Sequence, residues 1–408
     1  MNTPSEPAKT TWRDLPRNVW VVTLTSFLTD VSSEMIVNLL PLFLSNILGV
    51  KTNIIGVIEG VAETTASLLK LFSGWLSDRL GQRKWLAVLG YGLSTVAKPF
   101  LYVVNSWGGV LAVRFADRVG KGIRTAPRDA LIADTIAPQQ RGIAFGLHRA
   151  GDTAGAALGV LIALGVVLAT QAGDLQLRRE TFQAVVLVSI IPAALAVLVL
   201  ALGARDIPAE PRHEPPRLSL HGFTPRFRWF LLAVIVFTLG NSADAFLILR
   251  GQERGLSVVG VLGMLLTFNV VYALASGPAG ALSDRVNRSK MIVGGWLMYG
   301  ALYLGFAAAS SAWQIWAGYA IYGVYYGLTE GTAKALVADL VHPEQRGTAY
   351  GLYNAAVGVM ALPASVIAGV LWQGAFGWAG FGPSAPFFFG ALMALLGAGI
   401  FTLAQRAR

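Results

Sequence analysis

Two carboxylates, Asp30 and Glu34, stand one helical turn apart inside the apolar stretch TSFLTDVSSEMIVNLLPLFL, residues 25–44. A charge at mid-bilayer costs about 2.5–3.5 kcal/mol on insertion scales, so acidic side chains at that depth imply a use. At i, i+4 they share one helix face, and no Lys or Arg occurs between residues 18 and 50 to neutralise them. Facing a wet crevice, a carboxylate loses part of its hydration, which favours its protonated form. A proton on such a group removes the charge that would hold a competing cation. That mutual exclusion is the minimal chemistry of proton-coupled exchange.

Other apolar stretches carry ionisable groups too. VRFADRVGKG supplies Arg114, Asp117, Arg118 and Lys121, and a later stretch supplies His148, Arg149 and Asp152. Glu59 and Glu63 lie toward the outer side, and Lys98 precedes an expected kink at Pro99. The C-terminal part contributes Asn241, Asp244 and Glu330, with Lys334 expected near the cytoplasmic surface. Intramembrane ionisable residues typically face an aqueous cavity and pair with one another. The plainer reading of Arg114–Asp117 and Arg149–Asp152, each i, i+3, is a neutralising pair within one helix. The chain has no cysteine and four histidines, so neither a thiolate nor a His-based metal site is expected. No nucleophile–base set, metal-ligand spacing or phosphate loop stands out. The expectation is therefore no enzyme, no metal and no cofactor.

The elements that must hold these charges follow from composition. Of 408 residues, 54% are hydrophobic and 13% charged, against about 25% charged in soluble domains. Apolar runs long enough to cross a bilayer recur near 18–42, 54–76, 85–104, 107–126, 142–168, 182–203, 229–250, 257–280, 291–310, 314–337, 348–371 and 385–404. Continuous rather than alternating runs exclude a barrel. The expected fold is an all-α integral membrane protein of twelve transmembrane helices. Residues 204–228, with Pro208, Pro211, Pro215, Pro216 and Pro225, read as a cytoplasmic linker between bundles at 1–203 and 229–408.

The polar N-terminus lacks the order of a cleaved signal peptide. The net charge of +10 is not a nucleic-acid footprint, because basic residues cluster in alternate connections. They fall at Lys9, Arg13 and Arg17; at Arg79, Arg83 and Lys84; at Arg124, Arg128 and Arg141; from Arg205 to Arg228; at Arg285, Arg288 and Lys290; at Arg346; and at Arg406 with Arg408. That alternation is the positive-inside pattern, placing both termini in the cytoplasm and the chain in the cytoplasmic membrane.

The two parts repeat each other. ALIADTIAPQQRGIAFGL (130–147) matches ALVADLVHPEQRGTAYGL (335–352), so Asp134 corresponds to Asp339 and Arg141 to Arg346. SGWLSDRLGQRK (73–84) matches AGALSDRVNRSK (279–290), and SSE at 32–34 matches SAD at 242–244. Parallel six-helix repeats around a central pathway are a transporter architecture, and the pairing sets Glu34 against Asp244.

The string Gly74, Asp78, Arg79, Gly81, Arg83, Lys84 has the form G-x-x-x-D-R-x-G-x-R-K, with a second copy at Gly280, Asp284, Arg285, Arg288 and Lys290. It resembles the signature loop of the major facilitator superfamily, a resemblance that covers essentially the whole chain and implies two pseudo-symmetric six-helix bundles. Gly74 would let a helix end pack closely, and Gly81 suits a turn with positive φ, where Asn287 stands in the second copy. Asp78 and Asp284 would dock on helix N-termini of the opposite half, near Arg346–Gly347 and Arg141–Gly142. Such contacts form only with the cytoplasmic side closed. The alternative is that these charges merely set topology.

The A-D-x-x-x-P-x-x-R-G strings, with Asp134, Pro138 and Arg141 and with Asp339, Pro343 and Arg346, resemble the helix-loop-helix joining spans four and five of that superfamily. They read equally as a gate lock or a loop staple. Arg114 stands where many proton-coupled members carry an arginine, though Arg118 replaces the glycine expected four residues on. Gly151, Gly155 and Gly159 repeat every four residues in the fifth span, without the proline of drug exporters.

The resulting expectation is a secondary active transporter of a small solute, acting by alternating access as a monomer in the lipid bilayer. Proton antiport and export lead; uptake of an organic anion or metal chelate, or a transport-free sensor or scaffold, are the alternatives, and the mix of acids with Lys98, Arg114, Arg118 and Arg149 leaves a zwitterion, an organic anion or a metal chelate as open as a lipophilic cation.

Overall fold

The computed structural model describes residues 12–137, 140–206, 220 and 222–406. Lys9, Arg408, Pro138, Pro208, Pro211, Pro215 and Pro216 lie outside the described residues. Among the described residues all regular structure is helical. The first half comprises α1 (Arg17–Val37), α2 (Thr52–Leu80), α3 (Lys84–Ala97), α4 (Trp107–Ala133), α5 (Arg141–Gln171) and α6 (Arg179–Gly203). The second comprises α7 (Pro225–Leu239), α8 (Ala245–Glu253), α9 (Val258–Ser283), α10 (Arg288–Ala308), α11 (Ala312–Asp339), α12 (Arg346–Gln373) and α13 (Ala385–Arg406).

These thirteen helices make twelve crossings, because α7 and α8 are two pieces of one span. The break at Gly240–Asp244 frees backbone groups that lipid could not satisfy. Side chains answer them instead. Tyr299 Oη donates to the Gly240 carbonyl at 3.1 Å, and the Ala243 N–H donates to Ser365 Oγ at 3.2 Å. The first crossing continues past α1 through a turn at Leu40–Leu42 and a π-helix at Phe43–Ile47. Pro41, with no N–H to give, sits where the regular ladder is interrupted. Among the described residues, seven helices are long and apolar enough to cross a membrane on composition alone. Others, including α2, α4 and α11, carry charges or tyrosines along their length.

In the first half α1 packs on α5 and α6, while α4 packs on α2 and α3. In the second, α9 packs on α11, and α13 on α7 and α10. Close approach depends on glycine. A Cβ on Gly151, Gly155 or Gly159 of α5 would overlap Thr23, Phe27 or Val31 of α1. The spacing of four keeps these on one face, the arrangement by which small residues let helices pack without a hydrophobic drive between them. Gly74, by contrast, meets nothing nearer than the Ala126 methyl at ordinary contact distance.

The halves meet along α2–α12 and α5–α9. At the end of the molecule away from the termini, the distal side, they are bonded together. The Thr52 N–H donates to Gln373 Oε1 at 2.7 Å, and Asn53 Nδ2 to the Gly374 carbonyl at 2.8 Å. Asn46 Nδ2 donates to Gln252 Oε1 at 2.9 Å, and Gln252 Nε2 to the Leu175 carbonyl at 2.8 Å. Substituting Gly155→Leu should force α1 from α5 and destabilise the chain by about 1–3 kcal/mol. Gly165→Leu on the same helix, where a Cβ meets open space, should be near neutral. Thermal unfolding in detergent distinguishes the two.

Candidate functional site

The terminal side carries the repeated motifs, and each folds into an ion triad. Arg83 pairs with Asp78 and, through Nε at 3.1 Å, with Asp134. In the second half Arg288 binds Asp284 at 3.0 Å and Asp339 at 2.8 Å. One arginine therefore ties the α2–α3 loop to the end of α4, and its counterpart ties the α9–α10 loop to the end of α11. These contacts stay within their own halves, so the expected docking of Asp78 and Asp284 on opposite helix ends is not formed. The halves are instead hydrogen-bonded to each other at the distal end. Arg141 and Arg346 are the first residues of α5 and α12, both exposed. Arg79 and Arg285 are exposed, with Arg79 over the Trp75 ring.

The turn geometry differs between copies. Gly81 has φ +63°, the left-handed conformation its position demands. Asn287 does not mimic it. With φ −58°, it caps α10, its side chain accepting from the N–H groups of Ser289 and Lys290. Gly280 borders a groove shared with Arg149 and Lys334.

Between the halves lies a crevice of two lobes. The lobe toward the terminal side, about 390 Å³, is lined by Asp30, Lys121, Arg124, Arg128, Arg149, Asp152 and Glu330. The distal lobe, about 400 Å³, is lined by Glu34, Glu59, Glu63, Arg114 and Asn241. Asp244 and Tyr326 line both, so the lobes adjoin.

The intrahelical pairs expected within α4 and α5 are replaced by pairs between helices. Arg114 Nη2 binds Glu59 Oε2 of α2 at 2.5 Å, with side-chain exposures of 3% and 8%. Arg118 reaches Glu63 at 3.4 Å and Asp117 at 3.7 Å. Arg149 crosses to the other half, donating to Tyr272 Oη at 2.7 Å and Glu330 at 3.1 Å. Tyr272 Oη also donates to Glu330, and Lys334 reaches the same carboxylate at 3.2 Å. Asp152 lies 3.7 Å from His148. Charges that meet across a helix–helix contact staple two elements, which a pair on one helix cannot do.

Glu34 and Asp244 differ. Their hydrogen bonds are to neutral groups, Glu34 with Asn38 Nδ2 at 2.9 Å and Asp244 with Tyr322 Oη at 3.5 Å. Asn241 receives Tyr299 Oη at 3.3 Å. Lys98 is buried and donates to Ser32 and Ser33 of α1 at 2.6 and 3.1 Å.

Arg124 and Arg128, read from the sequence as part of a basic connection, instead lie inside α4 and line the crevice. Arg124 binds Ser94 at 2.6 Å over the Tyr91 ring, and Arg128 pairs with Asp129 at 2.8 Å. The signal was available: Arg114, Arg118, Lys121, Thr125 and Arg128 follow helical spacing and make one polar stripe. The tyrosine wall of α11 (Tyr319, Tyr322, Tyr325, Tyr326) was also missed, since tyrosines at helical spacing look like core. Tyr326 borders both lobes, and Phe268 packs edge-on to it at 5.6 Å.

Arg114→Gln alone should cost about 3–5 kcal/mol by stranding Glu59 as a buried charge. The pair Arg114→Gln with Glu59→Gln should lose far less, as thermal unfolding of the three variants would read.

The family model described as the Major Facilitator Superfamily matches residues 22–271 and 230–407. The MFS-type transporter MJ1317 of Methanocaldococcus jannaschii is 34% identical over 391 residues, 94% of each chain. The multidrug resistance protein MdtG of Escherichia fergusonii is 24% identical over 319 residues, 73% of this chain and 74% of that one. The crystal structure of the nucleoside transporter NupG superposes with a TM-score of 0.71 at 14% identity, covering 96% of this chain and 100% of that one. With a helical crevice between repeated halves and a family model spanning both, this chain belongs to the Major Facilitator Superfamily and is a membrane transporter of that type.

Proposed function

We propose that the chain is a proton-coupled antiporter that exports a small solute across the cytoplasmic membrane, with the terminal side in the cytoplasm. The observation that carries this reading is the pair Glu34 and Asp244. Their strings, SSE and SAD, match in sequence, and both residues line one lobe and have neutral hydrogen-bond partners. Every other carboxylate named in that lobe is answered by an arginine. Two unanswered acids in a low-dielectric crevice repel each other, so a proton or a cationic group is what they would take up.

Transport would follow as alternation. With the distal side closed, a solute enters from the cytoplasm and displaces protons from Glu34 and Asp244. Opening the distal bonds around Asn46, Thr52 and Asn53 releases it outside, and reprotonation resets the carrier. The ion triads on Arg83 and Arg288 would hold each half rigid while the halves rock. The bridge from Arg149 to Glu330 would be remade in each cycle. A single chain contains the whole pathway, which supports function as a monomer. The cationic stripe of α4 favours a second reading, uptake of an organic anion, which differs in the direction of flux.

Proteoliposomes carrying an imposed pH gradient, scanned with amino acids, cationic dyes, organic anions and metal chelates, test this. A solute should accumulate against its own gradient in the sense opposite to proton flow. The double variant Glu34→Gln with Asp244→Asn should lower that driven flux by at least about tenfold, roughly 1.4 kcal/mol or more. It should spare gradient-free exchange. Unchanged driven flux in the double variant would remove both residues from coupling.

A further inference from the structure

The distal loop from Gly374 to Ser384, which joins α12 to α13, has no charged residue and three aromatic ones, Phe376, Trp378 and Phe381. Phe376 is fully exposed, Phe381 is 75% exposed and Trp378 43%. Its counterpart in the first repeat, between α5 and α6, is polar, with Arg178 paired to Asp174 at 2.6 Å. The apolar tip therefore belongs to this loop and not to the repeat. Nor is the loop slack. Phe376 holds φ +50°, a left-handed conformation that bulky residues rarely adopt. A Cβ on Gly374 would overlap the Trp378 carbonyl, and the Phe381 N–H donates to the Leu371 carbonyl at 2.8 Å, closing the loop on the end of α12. Backbone strain of this kind persists where it serves a use, and here it turns an apolar ring outward.

Position says what the ring meets. The loop continues at both ends into helices long and apolar enough to cross a membrane, Arg346–Gln373 and Ala385–Gln405. Trp107 and Trp313 stand exposed on the same side, at the starts of α4 and α11. The loop also carries the bonds that close this side, since Gln373 Oε1 accepts from the Thr52 N–H and the Gly374 carbonyl from Asn53.

We propose that Phe376, Trp378 and Phe381 insert at the headgroup–acyl boundary of the distal leaflet and hold the end of α12 that closes the crevice. The partner is the lipid surface itself, the level at which aromatic rings of membrane proteins collect. Parting α12 from α2 has to displace the inserted rings, because the stiff loop joins them to Gln373 and Gly374. The leaflet thereby supports the neutral bonds of the distal side. This role is independent of the solute and of the coupling ion.

The chain has no cysteine, so single sites take a nitroxide label cleanly. In proteoliposomes of the full chain, the label on Phe376→Cys should relax more with oxygen, which concentrates in lipid, than with a water-soluble nickel chelate. Phe381→Cys repeats the measurement at a second site. On Gly173→Cys, in the polar counterpart loop where a Cβ meets open space, the order should reverse. The triple variant Phe376→Ser, Trp378→Ser and Phe381→Ser, confirmed folded by circular dichroism, should speed hydrogen exchange at the Thr52 amide at least about threefold. Amides of α10 should exchange as in the wild type. Preferential nickel access at Phe376→Cys or Phe381→Cys overturns the proposal and leaves water or another protein as the cover of the tip. Unchanged Thr52 exchange overturns it as well, because rings in passive contact with lipid would not hold α12.

Discussion

The cost of charge in a low-dielectric interior organises this molecule. A carboxylate or guanidinium taken from water into the membrane loses several kcal/mol of solvation, and only a close partner or a wet cavity repays it. The first half accordingly matches Glu59 to Arg114, Glu63 to Arg118, Asp129 to Arg128 and Lys98 to the serines of α1. Each match crosses from one helix to another or lines the crevice. The pairing thus does two jobs, holding α1, α2, α3 and α4 in register and keeping charge out of lipid. Glu34 and Asp244 stand apart from this scheme, which is why the proposed chemistry is placed on them.

The same constraint accounts for the contrast between the ends of the molecule. The distal side is joined by neutral hydrogen bonds among Asn46, Thr52, Asn53, Gln252 and Gln373. Neutral bonds of this kind contribute about 0.5–1.5 kcal/mol each, small enough to break and remake in a cycle. The terminal side keeps its charged contacts, the triads on Arg83 and Arg288, inside each half. Ionic triads within each half, with neutral bonds and the Arg149–Glu330 bridge between the halves, suit a carrier that rocks. The glycine contacts between α1 and α5 belong with the triads, since they fix helices within one half.

Much of this was legible from residue order. Apolar runs set the crossings because a helix needs about twenty residues to span the hydrocarbon. The Asp134 and Asp339 strings close α4 and α11 alike, and Gly81 announced its left-handed turn. What could not be read was pairing across helices. Arg114 and Asp117 are adjacent on α4, so sequence suggests they neutralise each other, yet Glu59 sits fifty-five residues away in the chain and wins in space. Arg149 likewise passes over Asp152 for Glu330 of the opposite half. Asn287 misled for a different reason, since asparagine serves both left-handed turns and helix caps, and only backbone geometry chooses between them. Arg124 and Arg128 were assigned to a connection because their charge outweighed the helical period that α4 sustains to Ala133.

The central claim is that solute and proton compete for the carboxylates of Glu34 and Asp244. Proton release on solute binding, followed with a pH indicator in weakly buffered detergent solution, measures that competition without any membrane gradient. The account predicts a burst of protons when a transported solute saturates the wild-type chain, and none from a folded chain carrying Glu34→Gln and Asp244→Asn. Saturating binding to the wild type with no proton released, or the same release from the doubly substituted chain, would contradict it.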